Sequence, residues 1–186
     1  MAHRAGPEAE DDRLSRPGEE ALTALAARLG ELALERSLSV ATAESCTGGL
    51  IGHSLTSIAG SSGYYLGGVV AYADAVKIAQ LAVPPETIER HGAVSAQVAV
   101  AMAEGVRAAL GSDLGVSVTG IAGPDGGTEA KPVGLTYVAV ATPASHDVRR
   151  HLWDGDRRAN KVHSGAAALE LLIDTITVLP PAGSQR

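Results

Sequence analysis

The 186-residue sequence contains no phenylalanine, and aromatic residues make up only 3% of it. Stacking of successive bases on side-chain rings, as single-strand binders use, is not expected of such a chain. Its core has to be aliphatic, built from Val, Leu, Ile and Ala. The one cysteine, Cys46, cannot form an internal disulfide, so the fold needs no oxidising compartment. Positive charge is also scarce. Fifteen Lys and Arg stand against 21 Asp and Glu, a net charge of −6. That argues against a broad phosphate-tracking surface but leaves room for a local basic pocket holding one small anion. No apolar run is long enough to span a bilayer, and residues 1–20 mix charges without the apolar stretch of a secretory signal. The expectation is a cytoplasmic protein with no membrane or nucleic-acid partner.

What is present is a chain that is 45% hydrophobic, enough for one well-buried core. Residues 1–18 are polar, charged and broken by Pro7 and Pro17, and read as a disordered tail. Residues 19–178 read as one domain, and 179–186 as a flexible tail. Leu22, Leu25, Leu29 and Leu32 recur at helical spacing and predict a helix from Glu19 to about Arg36. "SLSVATA" reads as a strand, "TGGLIGHSLTSIAG" as a helix stopped at Gly60, and "YYLGGVVAY" as a second strand. "ADAVKIAQLAV" gives a short helix ended by Pro84 and Pro85, and Pro85 opens another that closes at His91–Gly92. Ser95 caps a helix over 96–110. "DLGVSVTG", "VGLTYVAVA" and "DVRRHLW" are strands, the last two joined around Pro143, and a final helix covers 156–178. Helices and strands alternate and then finish in a hairpin. The pattern predicts an α/β fold around a mostly parallel mixed sheet with an antiparallel edge.

The stretch "AESCTGGL", residues 43–50, places Ser45 at the carboxyl end of a strand, where open α/β sheets hold their ligands. The following helix start offers unpaired N–H groups, and Gly48 and Gly49 let a substrate approach. Such N–H groups can hold the oxyanion that forms when a carbonyl is attacked. Three readings stand side by side. Ser45 is a nucleophile; Cys46 competes for that role, although a small buried thiol is its simpler reading; or the segment is an ordinary helix start with Thr47 as its N-cap.

A serine hydroxyl needs a base. His53, His91, His146, His151 and His163 are scattered without triad-like neighbours, and no metal-ligand spacing occurs. "VVAYADAVK" offers Lys77 instead, in the first turn of a helix that Asp74 can cap, with Tyr72 at the preceding strand end. On the residues alone an ordinary exposed lysine is the preferred reading, and an Asp74 carboxylate turned toward it would oppose a base. "TGIAGPDGG", with Thr119, Gly120 and Gly123, exposes backbone N–H groups that suit a phosphate or carboxamide. Arg157 and Arg158 start the last helix, the unfavourable end for cations unless an anion binds there; surface arginines beside Asp154 and Asp156 are the alternative.

Taken in series, "AESCTGGL", "GSSGYYLGGVVAYADAVK", "HGAVSAQVA", "TGIAGPDGGTEAKPVG" and "GDR" resemble the CinA C-terminal family, which includes the PncC-type nicotinamide-nucleotide amidases. The resemblance covers roughly residues 20 to 178. It implies a three-layer α/β/α sandwich and hydrolysis of nicotinamide mononucleotide to nicotinate mononucleotide and ammonia. By that resemblance Ser45 is the nucleophile, Lys77 the base and Tyr72 its support. Thr47, Gly48, Gly49, Thr119, Gly120, Gly123 and Arg157 would bind the substrate, a small nucleotide. No metal or other cofactor is implied, and a homo-oligomer is expected. Larger members carry a further N-terminal domain, whose pyrophosphatase activity is not expected of these residues. Two departures stand out. Asp74 occupies a position that is usually Asn in the family, and Asn160–Lys161 replace its usual Val–Arg.

Overall fold

The computed structural model describes residues 16–179; most of the two expected tails, 1–15 and 180–186, lies outside the described residues. The chain runs α1 (Arg16–Glu35), β1 (Val40–Glu44), α2 (Leu50–Thr56), β2 (Tyr65–Val70), α3 (Asp74–Leu81), α4 (Pro85–His91), α5 (Ala96–Leu110), β3 (Leu114–Gly120), β4 (Leu135–Ala141), β5 (His146–Leu152) and α6 (Arg157–Val178). The α1 helix begins three residues before the expected Glu19, because a proline in a first turn gives up an N–H that has no intrahelical partner anyway. No described helix is long and apolar enough to cross a membrane.

The sheet has the order β2-β1-β3-β4-β5. The β1–β2 and β1–β3 pairs are parallel, and β3–β4 and β4–β5 are antiparallel. Strands β1, β2, β3 and β5 therefore share one direction and β4 opposes them, which makes the sheet mixed and mostly parallel. Helices cover both faces. On one, Val116, Val118, Val138 and Val140 pack with Leu22 and Leu29 of α1, Ile51 and Leu55 of α2, and Leu169 and Leu172 of α6. On the other, Ala41 and Ala43 meet Leu81 of α3 and Val98, Met102 and Val106 of α5, while Ala139 and Ala141 meet Ala99 and Ala103. Period-two alternation along each strand assigns these residues to opposite faces. The result is a three-layer α/β/α sandwich.

The registers line up the carboxyl ends of three strands. Glu44 pairs with Val70 on one side and with Val118 on the other. Ala71 N donates to Glu44 O at 2.8 Å, and Ser45 N donates to Val118 O at 2.9 Å. The segments that leave β1, β2 and β3, beginning at Ser45, Ala71–Tyr72 and Gly120, start from one edge of the sheet.

Candidate active site

The turn from β1 into α2 is shaped by two consecutive left-handed residues, Gly48 (φ 65°) and Gly49 (φ 96°), a conformation that side chains disfavour. Because of them α2 starts only at Leu50 and ends at Thr56, shorter than the expected 47–60. Thr47 is not its N-cap. Gly49 holds that position without a side-chain bond, and Glu44 takes over the capping. The buried Glu44 carboxylate accepts from Gly49 N at 3.0 Å, Ile51 N at 3.1 Å and Gly52 N at 2.8 Å. Sequence reasoning overlooked this residue. Its signal was a carboxylate ending an otherwise apolar and threonine strand, just ahead of a helix start that needs an acceptor.

Two of the expected oxyanion donors are therefore already engaged: Gly49 N by Glu44, and Gly48 N by Ser45 O at 3.1 Å. Among the described residues, neither Cys46 N nor Thr47 N has a backbone partner. These two N–H groups lie beside the Cys46 sulfur. Ser45 is 8% exposed and follows directly on β1, whose Ala41 and Ala43 face α3 and α5. Cys46 belongs to the opposite core, with α1 and α6. Burial pushes its thiol up to about 12, against weaker opposing pulls from its own N–H, Lys161 and Thr47 N–H. A thiol that stays protonated across the physiological range is a poor nucleophile. The simple buried-thiol reading of Cys46 holds.

Lys77 is not a surface lysine. It is 1% exposed, and its Nζ donates to Tyr72 O at 3.3 Å and to Asp74 Oδ1 at 3.0 Å. Asp74 does not cap α3, whose N-cap is Ala73; its carboxylate, half in solvent at 52% exposure, turns to Lys77 instead. Tyr72 follows Ala71, whose N–H is bonded to the residue before Ser45. The amine thus sits at the end of the strand next to the one that leads into Ser45. No hydrogen bond joins the two side chains among the described residues.

Arg157 reaches back across the same edge. Its Nη1 donates to Gly123 O at 2.7 Å and its Nη2 to Tyr72 Oη at 3.1 Å. It clasps the glycine-rich loop to the 60%-exposed Tyr72. Thr119 is turned to structural use, its Oγ1 donating to Ala93 O at 2.8 Å. A Cβ on Gly120 would lie 3.1 Å from Cys46 Sγ and 2.6 Å from Thr136 Oγ1, so that glycine packs the loop onto the turn. Arg158 points elsewhere, to Glu19 Oε1 at 2.8 Å. Lys161, one turn after Arg157, brings its Nζ to 3.6 Å from where a Cβ of Gly48 would stand.

These features define an α/β sandwich that gathers the β1–α2 turn, the β2–α3 turn, the 120–134 loop and the start of α6 at the carboxyl ends of its parallel strands. The sequence profile of the CinA C-terminal domain matches residues 22–176, and the chain belongs to that family. A CinA-like protein of Salinibacter ruber is 53% identical over 154 residues, 83% of this chain and 37% of its own length. Another, from Thermosynechococcus vestitus, is 50% identical over 159 residues, 84% of this chain and 38% of its own. The chain spans little more than a third of these relatives. Among solved structures, the competence/damage inducible protein CihA from Agrobacterium tumefaciens superposes with a TM-score of 0.82 at 39% identity, over 84% of this chain and 96% of that one. The competence damage-inducible protein A from Klebsiella pneumoniae gives 0.83 at 30% identity, over 86% and 99%.

Proposed function

We propose that the chain is an amidohydrolase acting on nicotinamide mononucleotide, with Ser45 as nucleophile and Lys77 as base. The observation that supports this reading is the buried Lys77 amine, bonded to the Tyr72 carbonyl just beyond β2, the strand paired with the one that leads into Ser45. A primary amine removed from water next to a serine is one of the ways that hydroxyl is made reactive.

In this mechanism Ser45 Oγ attacks the carboxamide carbon while its proton passes to Lys77 Nζ. The carbonyl oxygen gathers negative charge and is met by N–H groups of the turn that follows Ser45. The C–N bond breaks, and the leaving nitrogen takes the proton back from Lys77 and departs as ammonia. Water, deprotonated by the same amine, then cleaves the ester and returns Ser45. Tyr72, held by Arg157, stands at the mouth as a surface for the pyridine ring.

One observation favours a second reading, a nucleotide-binding module without turnover. Lys77 Nζ donates to Asp74 Oδ1 at 3.0 Å, and it has to leave that partner before it can turn to Ser45. Ammonia release from nicotinamide mononucleotide separates the two. The amidase reading expects release by the wild type and a loss of at least about a thousandfold in kcat in both Ser45→Ala and Lys77→Met. Tight binding without ammonia favours the module, and ammonia release that survives Ser45→Ala overturns the mechanism.

A further inference from the structure

We infer that the open edge of β2 pairs with the same edge of a second copy of this chain, antiparallel about a twofold axis at Val69, which brings the partner's Leu66 against Tyr72. The pairing stands or falls on association alone, whether or not the chain hydrolyses an amide.

The sheet ends in two strands that are finished differently. At one end β5 carries His146, Asp147, Arg149, Arg150 and His151 within seven residues. Charges of this kind keep other strands from adding to an edge. At the other end β2 reads YLGGVV, and no Asp, Glu, Lys, Arg or His occurs between His53 and Asp74. Leu66 and Val70 are each half exposed, and Tyr72, just beyond the strand, is more so. On the α5 side the apolar strip continues into Leu110, whose Cδ1 lies 3.7 Å from where a Cβ of Gly67 would stand. A bulge is another device against edge pairing, but the irregularity in β2 falls opposite Val40 and Ala41. From Gly67 to Val70 the strand runs in regular register with Ala41 to Glu44.

The hydrogen-bonding groups of β2 fix the partner's register. Ala71 N donates inward, to Glu44 O at 2.8 Å, and alternation then turns the N–H and C=O of Gly68 and Val70 away from the sheet. Antiparallel pairing about Val69 sets Gly68 opposite the partner's Val70. Both outward residues then exchange both of their bonds, and the missing side chain of Gly68 leaves room for that valine. The same register carries Leu66 to the partner's Tyr72, so the exposed apolar side chains at the two ends of the edge meet. A second copy is the occupant that this strip suits. With a net charge of −6, two copies repel one another, and the uncharged 54–73 segment is where they touch without that repulsion. Meeting through identical edges also closes the assembly at two, whereas β2 against β5 would propagate and set apolar residues against charges. Tyr72 Oη accepts from Arg157 Nη2 at 3.1 Å, so the partner's Leu66 borders the candidate site at its tyrosine.

The test is sedimentation equilibrium of the full chain beside its Leu66→Lys and Leu152→Lys variants. The wild type is expected to be dimeric at about 10 μM. Leu66→Lys places a cation on both sides of the axis and is expected to raise the dimer dissociation constant at least about tenfold. Leu152→Lys, at a similarly exposed position on β5, is expected to leave it within about twofold of the wild type. Crosslinking reads the register without an added charge and decides the matter if Leu66→Lys fails to fold. An equimolar mixture of Leu66→Cys and Tyr72→Cys chains, treated with a short bismaleimide, is expected to give a covalent dimer, the native Cys46 being buried. Neither chain alone is expected to do so, because like positions lie about 20 Å apart across the axis. A wild type that stays monomeric at about 100 μM overturns the inference and leaves the edge to an extended segment of another protein. A dimer that both lysines weaken equally, or that neither weakens, overturns it too. A covalent dimer from either cysteine chain alone, or none from the mixture, overturns the register about Val69 and with it the contact to Tyr72.

Discussion

The two faces of the sheet are built from different material. Beneath α1 and α6 the strands present Val116, Val118, Val138 and Val140, and the helices answer with leucines. Beneath α5 the strands present Ala41, Ala43, Ala139 and Ala141, and the helix answers with Ala99 and Ala103. A Cβ on Gly115 would strike the Ala103 carbonyl and lie 2.8 Å from Arg107 Cβ, so α5 sits almost on the sheet backbone. The thick face excludes water by volume. The thin face brings polar groups into contact with backbone: Ser117 Oγ donates to Ala99 O at 2.5 Å, and Thr119 Oγ1 to Ala93 O at 2.8 Å. The α3 helix that carries Lys77 belongs to this thin, hydrogen-bonding side, whereas Cys46 belongs to the thick one.

The sharpest test of that comparison is the contrast between Ser45 and Cys46. With its thiol pushed from the ordinary 9.0 up to about 12, Cys46 is expected to react with iodoacetamide at pH 8 roughly a thousandfold more slowly in the folded chain than in urea. The same shift couples to stability. The unfolded thiol ionises first, so the contribution of Cys46 is fully present below pH 9.0 and is lost as the pH rises toward 12. Urea unfolding at pH 8 and pH 10 is expected to show a smaller alkaline loss in Cys46→Ala than in the wild type. Equal losses, or fast alkylation of the folded chain, would reject the dry-face account.

This division was partly legible in the sequence. The bounds of α4 and α5 follow from Pro85, Ser95 and Gly111, because each is a local backbone signal. The strands stood out because their β-branched residues alternate. What local signals do not carry is the partner of a charged side chain. Glu44 reaches amides up to eight residues ahead, and its capping shortened α2 at a place where Thr47 looked adequate. Lys77 was read as exposed because lysine usually is. Its position four residues before the buried Leu81 placed it on the inward face of α3, and that periodicity was the better guide. Arg157 was read as an anion binder and not as a clasp, since Gly123 and Tyr72 lie 34 and 85 residues away.

Core substitutions measure the two faces directly. Leu169→Ala, on the thick face, opens a cavity and is expected to cost about 2–5 kcal/mol. Gly115→Ala, on the thin face, adds one carbon against backbone that cannot rotate away, and is expected to cost about 1–3 kcal/mol. The signs of the volume change are opposite, yet both destabilise. The two also differ in where the damage spreads. Gly115→Ala displaces α5, whose partner α3 carries Lys77, so ammonia release per folded molecule is expected to fall as well; Leu169→Ala leaves that side of the sheet alone. Denaturant midpoints combined with activity at a temperature where both variants remain folded check this. Should Gly115→Ala be tolerated without loss, the thin face has more freedom than its geometry implies.

The smallest effect concerns the charge at the mouth of the thin face. Asp74 Oδ1 accepts a hydrogen bond from Lys77 Nζ at 3.0 Å, a charged partner that the amine has to leave before it can turn to Ser45 in the proposed reaction. Asp74→Asn retains an oxygen at the same reach while taking away the charge. The expected outcome is a rise of about threefold to tenfold in kcat near neutral pH with little change in KM, because the substitution alters the base and not the ring or phosphate contacts. With Asp74 half in solvent, the lost ion pair is expected to move the thermal midpoint by less than about 2 °C. A fall in kcat would mean that the carboxylate itself takes part, shuttling the proton between Lys77 and the leaving nitrogen. The base would then be the pair and not the lysine alone, and the hydrolytic work of the thin face would extend to its solvent rim.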